Sequence, residues 1–237
     1  MNELIISPTS GSSFDLYNIS KPSAPAEYAM DLSSQVNNAE LDSGAADTTG
    51  VAIASAENSG NFVLSNLGHT RLTAGTPGTW AAPTTVQNLP EVAKSFQTGA
   101  AELAIASGLH QAIIADEDST NAFGVLQLPT SALKGAPSIQ DYAVAQMPND
   151  PSGTQWSTGS GAHAVTAAVL NASLSGGAVV SGGTKGLAFL FNSNSTYIAV
   201  VDLEALLKAP RQSGTHTVEP TYDLLGNNVV VFAPIGG

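Results

Sequence analysis

One phrase recurs along the chain: an apolar run that closes on Leu or Ile beside Asp, Asn or Gln, often with a proline-marked turn behind it. It reads Phe14-Asp15-Leu16-Tyr17-Asn18-Ile19, then Phe62-Val63-Leu64-Ser65-Asn66-Leu67, then Phe123-Gly124-Val125-Leu126-Gln127-Leu128, then Ile198-Ala199-Val200-Val201-Asp202-Leu203. Runs this short, bounded by Gly, Pro, Ser and Thr, are strands in character and not helices. Leu16, Leu67, Leu128 and Leu203 stand 51, 61 and 75 positions apart. A repeat of that length matches one small antiparallel sheet, so the chain is expected to fold as sheets repeated around a centre.

The intervening sequence fills in these units. Residues 1–35 hold short runs at Leu4–Ile6, Phe14–Ile19 and Tyr28–Leu32. Residues 36–90 carry a strand around Val51 and Ile53, a turn at Glu57-Asn58-Ser59-Gly60, a strand at Phe62–Leu67 and a last one at Thr84–Leu89 that stops at Pro90. Residues 91–148 are the clearest unit, with strands predicted at Glu102–Ala106, His110–Ala115, Asn121–Leu128 and Ile139–Met147. Ala104-Ile105-Ala106-Ser107 echoes Ala52-Ile53-Ala54-Ser55, and Gln146-Met147-Pro148 echoes Asn88-Leu89-Pro90. In 149–210, His163–Leu170 reads as a buried strand or a short helix. Ser175–Gly183 reads as a flexible glycine-rich loop, Gly186–Phe191 with Thr196–Asp202 as a hairpin, and Leu203–Ala209 as a turn or two of helix. The tail, Val218–Ile235, is expected to add one more strand pair. No Gly/Ser- or Pro-rich linker divides the chain, so 1–237 is read as a single domain.

Composition narrows the partners. Only 11% of residues are charged while 43% are hydrophobic. Solubility then rests on Ser, Thr, Asn and Gln, which suits a β-rich surface better than a shell of helices. Seven basic residues stand against 19 acidic ones, for a net charge of -12. Such a surface repels phosphate backbones and anionic membranes, and the basic residues are scattered singly, so neither nucleic-acid binding nor membrane insertion is expected. The chain has no cysteine, which excludes disulfide, thiolate-metal and cysteine-nucleophile chemistry. The first residues, Met1-Asn2-Glu3-Leu4-Ile5-Ile6-Ser7-Pro8, lack the pattern of a signal peptide. Low charge and abundant small polar residues favour a secreted, periplasmic or cell-surface bacterial protein whose signal is absent from this chain, with a cytoplasmic location left open.

Certain segments carry a family likeness. Phe14-Asp15-Leu16-Tyr17-Asn18-Ile19-Ser20-Lys21-Pro22-Ser23-Ala24-Pro25 resembles a strand-and-turn motif of bacterial β-propellers of the YVTN/NHL type, also termed WD40-like. Gly50-Val51-Ala52-Ile53-Ala54, Ala104–Ala112 and Tyr197–Leu203 are similar to the same group. The resemblance implies an all-β disc of four-stranded blades around an axial channel, with binding at loop-lined faces. At this repeat length the chain would supply about four or five blades, so the disc would be incomplete or closed by a partner, and an oligomer is one consequence. No unit has the aspartate-to-tryptophan signature of the WD type. A β-sandwich and a right-handed β-helix remain alternatives.

Candidate chemistry is sparse. Trp80 and Trp156 each sit in a long Gly/Pro-rich loop, and exposed indoles on loops are good anchors for a protein or a small polar ligand. His110 and His163 both precede small apolar stretches 53 positions apart, which in a propeller places them toward one central opening. Asp116-Glu117-Asp118 gathers carboxylates in one turn, a weak calcium pattern without the spacing and glycine of an EF-hand loop. Asp42 and Asp47 flank a small-residue turn and form a weaker one. No Gly-x-Ser-x-Gly elbow occurs, and Ser181-Gly182-Gly183-Thr184-Lys185-Gly186 has its lysine in the wrong place for a phosphate loop. The expectation is therefore a non-enzymatic binding or structural module without a required cofactor. The competitor is a lactonase-like, metal-dependent propeller hydrolase with its site at the central channel.

Overall fold

The computed structural model describes residues 3–6, 13–18, 28–31, 41–46, 51–56, 61–66, 85–95, 101–116, 122–130, 139, 141–156 and 162–236. The strands fall into four sheets in chain order. The first sheet is β1 (Glu3–Ile6), β2 (Ser13–Asn18) and β3 (Tyr28–Asp31). The second is β4 (Leu41–Ala46), β5 (Val51–Ala56), β6 (Asn61–Asn66) and β7 (Thr85–Asn88). The third is β8 (Ala101–Ala106), β9 (Gln111–Asp116), β10 (Ala122–Gln127) and β11 (Asp141–Gln146). The fourth is β12 (Ala162–Ser175), β13 (Ala178–Asn192), β14 (Tyr197–Asp202) and β15 (Val230–Pro234).

Every sheet is a meander: each strand pairs antiparallel with the next one in sequence. Antiparallel neighbours need only a short turn between them, and the chain supplies such turns in quantity. These antiparallel ladders exclude the β-helix alternative for the described residues, because that fold pairs its strands in parallel. The first strands of successive sheets lie side by side, β1 against β4, β4 against β8 and β8 against β12. Among the described residues the fourth sheet makes no comparable contact back to the first.

The third sheet lies between the second and the fourth. On one face, Leu103, Ala112, Ile114, Leu126 and Val144 pack with Ile53 and Leu64 of the second sheet. On the other, Ile113, Phe123, Val125 and Ala143 pack with Ala188, Leu190, Ala199 and Val201 of the fourth. Side chains alternate across a strand, so Ile113 and Ile114, both 0% exposed, mark two dry faces. Burying each large aliphatic or aromatic side chain contributes about 1.5–3 kcal/mol. Gly186 lets the fourth sheet approach the third: a Cβ there would meet Gln111 Oε1 at 2.6 Å and Ala106 Cβ at 3.4 Å. Within the third sheet, a Cβ at Gly124 would meet the Ala143 carbonyl oxygen of the adjacent strand at 3.2 Å.

Two short helices complete the packing. α1 (Pro90–Ser95) starts on the proline at which sequence reasoning ended its unit. Proline at the first helical position sacrifices no hydrogen bond, and Val92 is buried among the second and third sheets. α2 (Leu203–Lys208) is capped by Asp202, whose Oδ1 accepts from the Ala205 N–H at 2.9 Å. Leu203 and Leu206 are buried between the third and fourth sheets. Lys185 reaches Glu204 at 3.1 Å and Asp202 at 3.5 Å, tying α2 to β13.

Several expectations change. The Asp42 region is not a turn but lies in β4, at a register shift between Leu41 and Ser43; Asp47 is outside the described residues. Of the two readings of His163–Leu170, the strand holds and the helix does not: the segment lies within the 14-residue β12. Ser175–Gly183 is the end of a long hairpin, with a two-residue turn at Gly176 and Gly177 (φ +58° and +76°), a conformation that glycine adopts freely. The tail adds one strand and not a pair: Tyr222-Asp223-Leu224-Leu225 lies in turns, and β15 completes the fourth sheet. The units read as 149–210 and a separate tail are thus one sheet. Among the described residues no helix is long and apolar enough to cross a membrane.

Asp150 is 4% exposed. Its carboxylate accepts from Ser152 N and Oγ, from Thr154 N, and from Ser195 Oγ at 2.6 Å, pinning the 149–156 segment to the β13–β14 turn. Burial alone would raise its pKa, but the hydrogen bonds from Ser152, Ser195 and Thr154 outweigh burial and hold it below the ordinary 3.8. Its stabilisation is therefore present above about pH 4 and is lost as pH falls through the depressed folded value. Asp150→Asn is expected to lower stability by about 2 kcal/mol at pH 7. In thermal melts from pH 7 to pH 2 the gap to the parent should close on the acid side; a constant gap would refute this account. Gly186→Val is expected to cost about 1–3 kcal/mol in urea unfolding, because the Gln111 side-chain oxygen and the Ala106 and Leu109 methyl groups leave the new side chain no room.

Candidate binding cleft

After α2 the chain doubles back along β11, the outer strand of the third sheet. Val144 N donates to the His216 carbonyl at 3.1 Å, and Val218 N donates to the Val144 carbonyl at 2.8 Å. This short parallel pairing covers an edge that would otherwise expose unpaired backbone groups. Side chains clamp it. Arg211 makes a two-pronged ion pair with Asp141, at 2.8 and 3.0 Å, and donates to the Leu207 carbonyl at 2.6 Å. The guanidinium holds the Asp141 carboxyl below its ordinary range. His216 stacks on Tyr142 with ring centroids 3.8 Å apart. Its Nδ1 lies 3.0 Å from the Tyr142 carbonyl oxygen, which can only accept, so Nδ1 carries the proton. The Tyr142 hydroxyl in turn donates to Glu91 Oε2 of α1 at 2.5 Å. Burial, reinforced by Glu91, pushes the phenol well above its usual pKa.

Beyond this clamp the returning segment stands off the sheet and leaves a cleft of about 330 Å³. Met147, Val218 and Leu224 are buried and form its apolar floor. Glu219, Tyr222 and Asp223 stand at its rim, and no Lys, Arg or His lines it. Asp223 Oδ1 accepts from Leu225 N and Gly226 N at 3.1 and 2.9 Å, which fixes the turn that carries it. The chemistry offered is an apolar surface under negative potential.

The residues singled out from sequence lie elsewhere. Trp156 is not an exposed indole: it is 1% exposed and packs on Phe232 with ring centroids 5.6 Å apart. A large indole between two sheets buries more apolar area than a loop tip would allow. Trp80, its proposed counterpart, lies outside the described residues. His110 is not in a strand. It follows the 3₁₀ turn Ser107–Leu109 at φ +55°, half-buried, and its carbonyl accepts from Leu128 N at 2.8 Å and Gln127 Nε2 at 3.1 Å. His163 lies in β12, with its side chain outside the described set. Asp116 ends β9, and Glu117 and Asp118 are outside the described residues. Among the described residues no three His, Cys, Asp or Glu side chains gather as a metal ion would require. Sequence reasoning missed Glu91, Asp141, Tyr142, Arg211 and His216, whose bonds span 51, 70 and 74 positions. No local spacing announces them.

No family model and no curated protein matches this chain. Solved structures do. The chain is similar to the Cps50 (Swd1) β-propeller domain of Myceliophteria thermophila, with 9% identity and a TM-score of 0.46 over 93% of this chain and 61% of that one. It is similar to a protein of unknown function from Bacteroides caccae, with 13% identity and a TM-score of 0.42 over 98% of this chain and 64% of that one. A candidate 6-phosphogluconolactonase from Bacteroides uniformis aligns with 11% identity and a TM-score of 0.42, over 99% of this chain and 70% of that one. The chain spans about three fifths of the length of the first two.

The clamp sets up a test of the returning segment. Arg211→Met is expected to cost about 1 kcal/mol, the upper end for a half-exposed pair of good geometry. Amide exchange at Val144 and Val218 should accelerate while exchange in β9 and β10 stays slow. Unchanged exchange at both amides would show that the backbone pairing stands without the ion pair.

Proposed function

We propose that this chain is a non-catalytic binding module: an open, propeller-like array of meander sheets that presents a small-ligand cleft on its outer edge. The array reading is supported by the run of first strands, β1, β4, β8 and β12, side by side, with each sheet meandering outward from its first strand. The binding reading is supported by what the ionisable groups do. Asp150, Asp202, Asp141 and Arg211 are bonded to the chain's own backbone and side chains, where they hold segments together. The observation that carries the reading is the cleft at Met147 and Leu224, apolar below and acidic at its rim. A small organic cation with an apolar body suits both features, and the net charge of -12 raises its local concentration.

Calorimetric titration with benzylamine, benzyl alcohol and benzoate tests this. Benzylamine should bind saturably and tighter than the neutral alcohol, and benzoate should not bind. Glu219→Gln is expected to weaken benzylamine about fivefold, the size of one partly exposed charge contact. Met147→Trp should fill the cleft and abolish binding. Benzylamine binding that survives Met147→Trp, or no saturable binding at all, would overturn the reading.

A further inference from the structure

The β12–β13 hairpin is longer than its sheet requires. β13 pairs with β14 only over Leu187–Phe191, yet it pairs with β12 along the hairpin from Ala162 to Ser175. The register breaks partway. Asn171 faces Thr184 and Ala172 faces Ser181, so Gly182 and Gly183 are extra, with φ +104° and +81°. Extra residues on one strand bend the ribbon, and two glycines at positive φ allow a sharp bend. The distal arm turns back over its own sheet. Ala172 and Leu174 pack against Leu187, Val200 and Val231, which are at most 2% exposed and lie on the face away from the third sheet. The tip is tethered where Gly177 N donates to Asn228 Oδ1 at 3.0 Å, and Asn228 sits at φ +53°.

This cover replaces something the third sheet has on both sides. The third sheet is buried between two others, whereas the fourth has a neighbouring sheet on one side only among the described residues. We propose that the β12–β13 hairpin is a strap that caps the array, occupying the face of the fourth sheet that would otherwise take a sheet from a second copy of this chain. Repeat arrays need such caps, because a sheet face built to pack on the next unit is apolar. The strap fits more loosely than a sheet. A cavity of about 330 Å³ remains between its tip at Gly177 and Leu225, Val231 and Phe232. On the same distal arm Val179 and Val180 are 42% and 37% exposed. Among the described residues the first sheet, β1–β3, meets the second through β1 on β4, and its other side is the surface of a second copy that the proposal takes as the partner. The proposal is independent of the ligand cleft.

The chain has no cysteine, so a single engineered pair gives a clean test. In the double variant Gly177→Cys, Asn228→Cys, oxidation locks the strap and reduction frees it without the native tether. Light scattering during size exclusion, from micromolar to millimolar protein, should show a monomer when oxidised and concentration-dependent self-association when reduced. Leu174→Asp, which places a charge under the strap, should self-associate at least tenfold more tightly than the parent. The same mass for oxidised and reduced protein would overturn the proposal. So would a parent protein that associates as strongly as the freed forms. Should Leu174→Asp fail to fold, the oxidised and reduced forms of the double variant still decide.

Discussion

Burial of the third sheet on both faces is the constraint from which the rest of the arrangement follows. A strand flanked by two apolar layers needs apolar residues at successive positions, and β9 and β10 provide them at Ile113, Ile114, Phe123, Val125 and Leu126. With several side chains at about 1.5–3 kcal/mol each, enclosing these two faces contributes strongly to the fold. The flanking sheets then have little freedom. Their inner faces must match that surface, and small residues such as Gly186 and Ala188 set how closely the fourth sheet sits.

Edges are the second problem such a layout must solve, and the chain solves it with its own segments. Residues 216–218 cover the outer edge of the third sheet, and the Arg211–Asp141 pair and the Tyr142–His216 stack hold them there. The bent hairpin covers the outer face of the fourth sheet. Both covers bring together residues far apart in sequence, and both leave a cavity where the covering segment lifts from the sheet. The cleft at Met147 and Leu224 is thus a consequence of edge protection that binding can exploit. Charge placement agrees with this division. Paired ions sit at the fastening points, while the rim carboxylates of Glu219 and Asp223 face the cleft.

Much of the strand pattern was legible in the residues. The runs at Leu4, Phe14, Tyr28, Phe62, Glu102, Asn121, Ile139 and Tyr197 correspond to strands, because β-branched and apolar clusters between turn residues leave little else to form. Where reading failed, long-range packing won. Pro90 looked like a stop and is a start, since proline serves both ends of local punctuation and only the burial of Val92 decides. The glycines of 176–183 looked like a loose loop, yet two of them make the hairpin turn and two make the bend. Trp156 looked like an exposed anchor because its neighbours are polar. Its burial depends on Phe232, 76 positions away. The cleft was not legible at all, because the residues that fasten its wall meet across 51 to 74 positions.

The sequence by itself determined a mostly β chain of strands between turn residues, an acidic and sparsely charged composition, and freedom from cysteine chemistry. These properties are local or additive: periodicity, turn residues and net charge do not depend on which segments meet. Tertiary structure decided the rest. It buried Trp156, joined the tail to the fourth sheet, folded the long hairpin back on its own sheet, and set Arg211 against Asp141. Each of these is a choice of partner between distant segments, fixed by which apolar faces and sheet edges remain to be covered once the third sheet is enclosed.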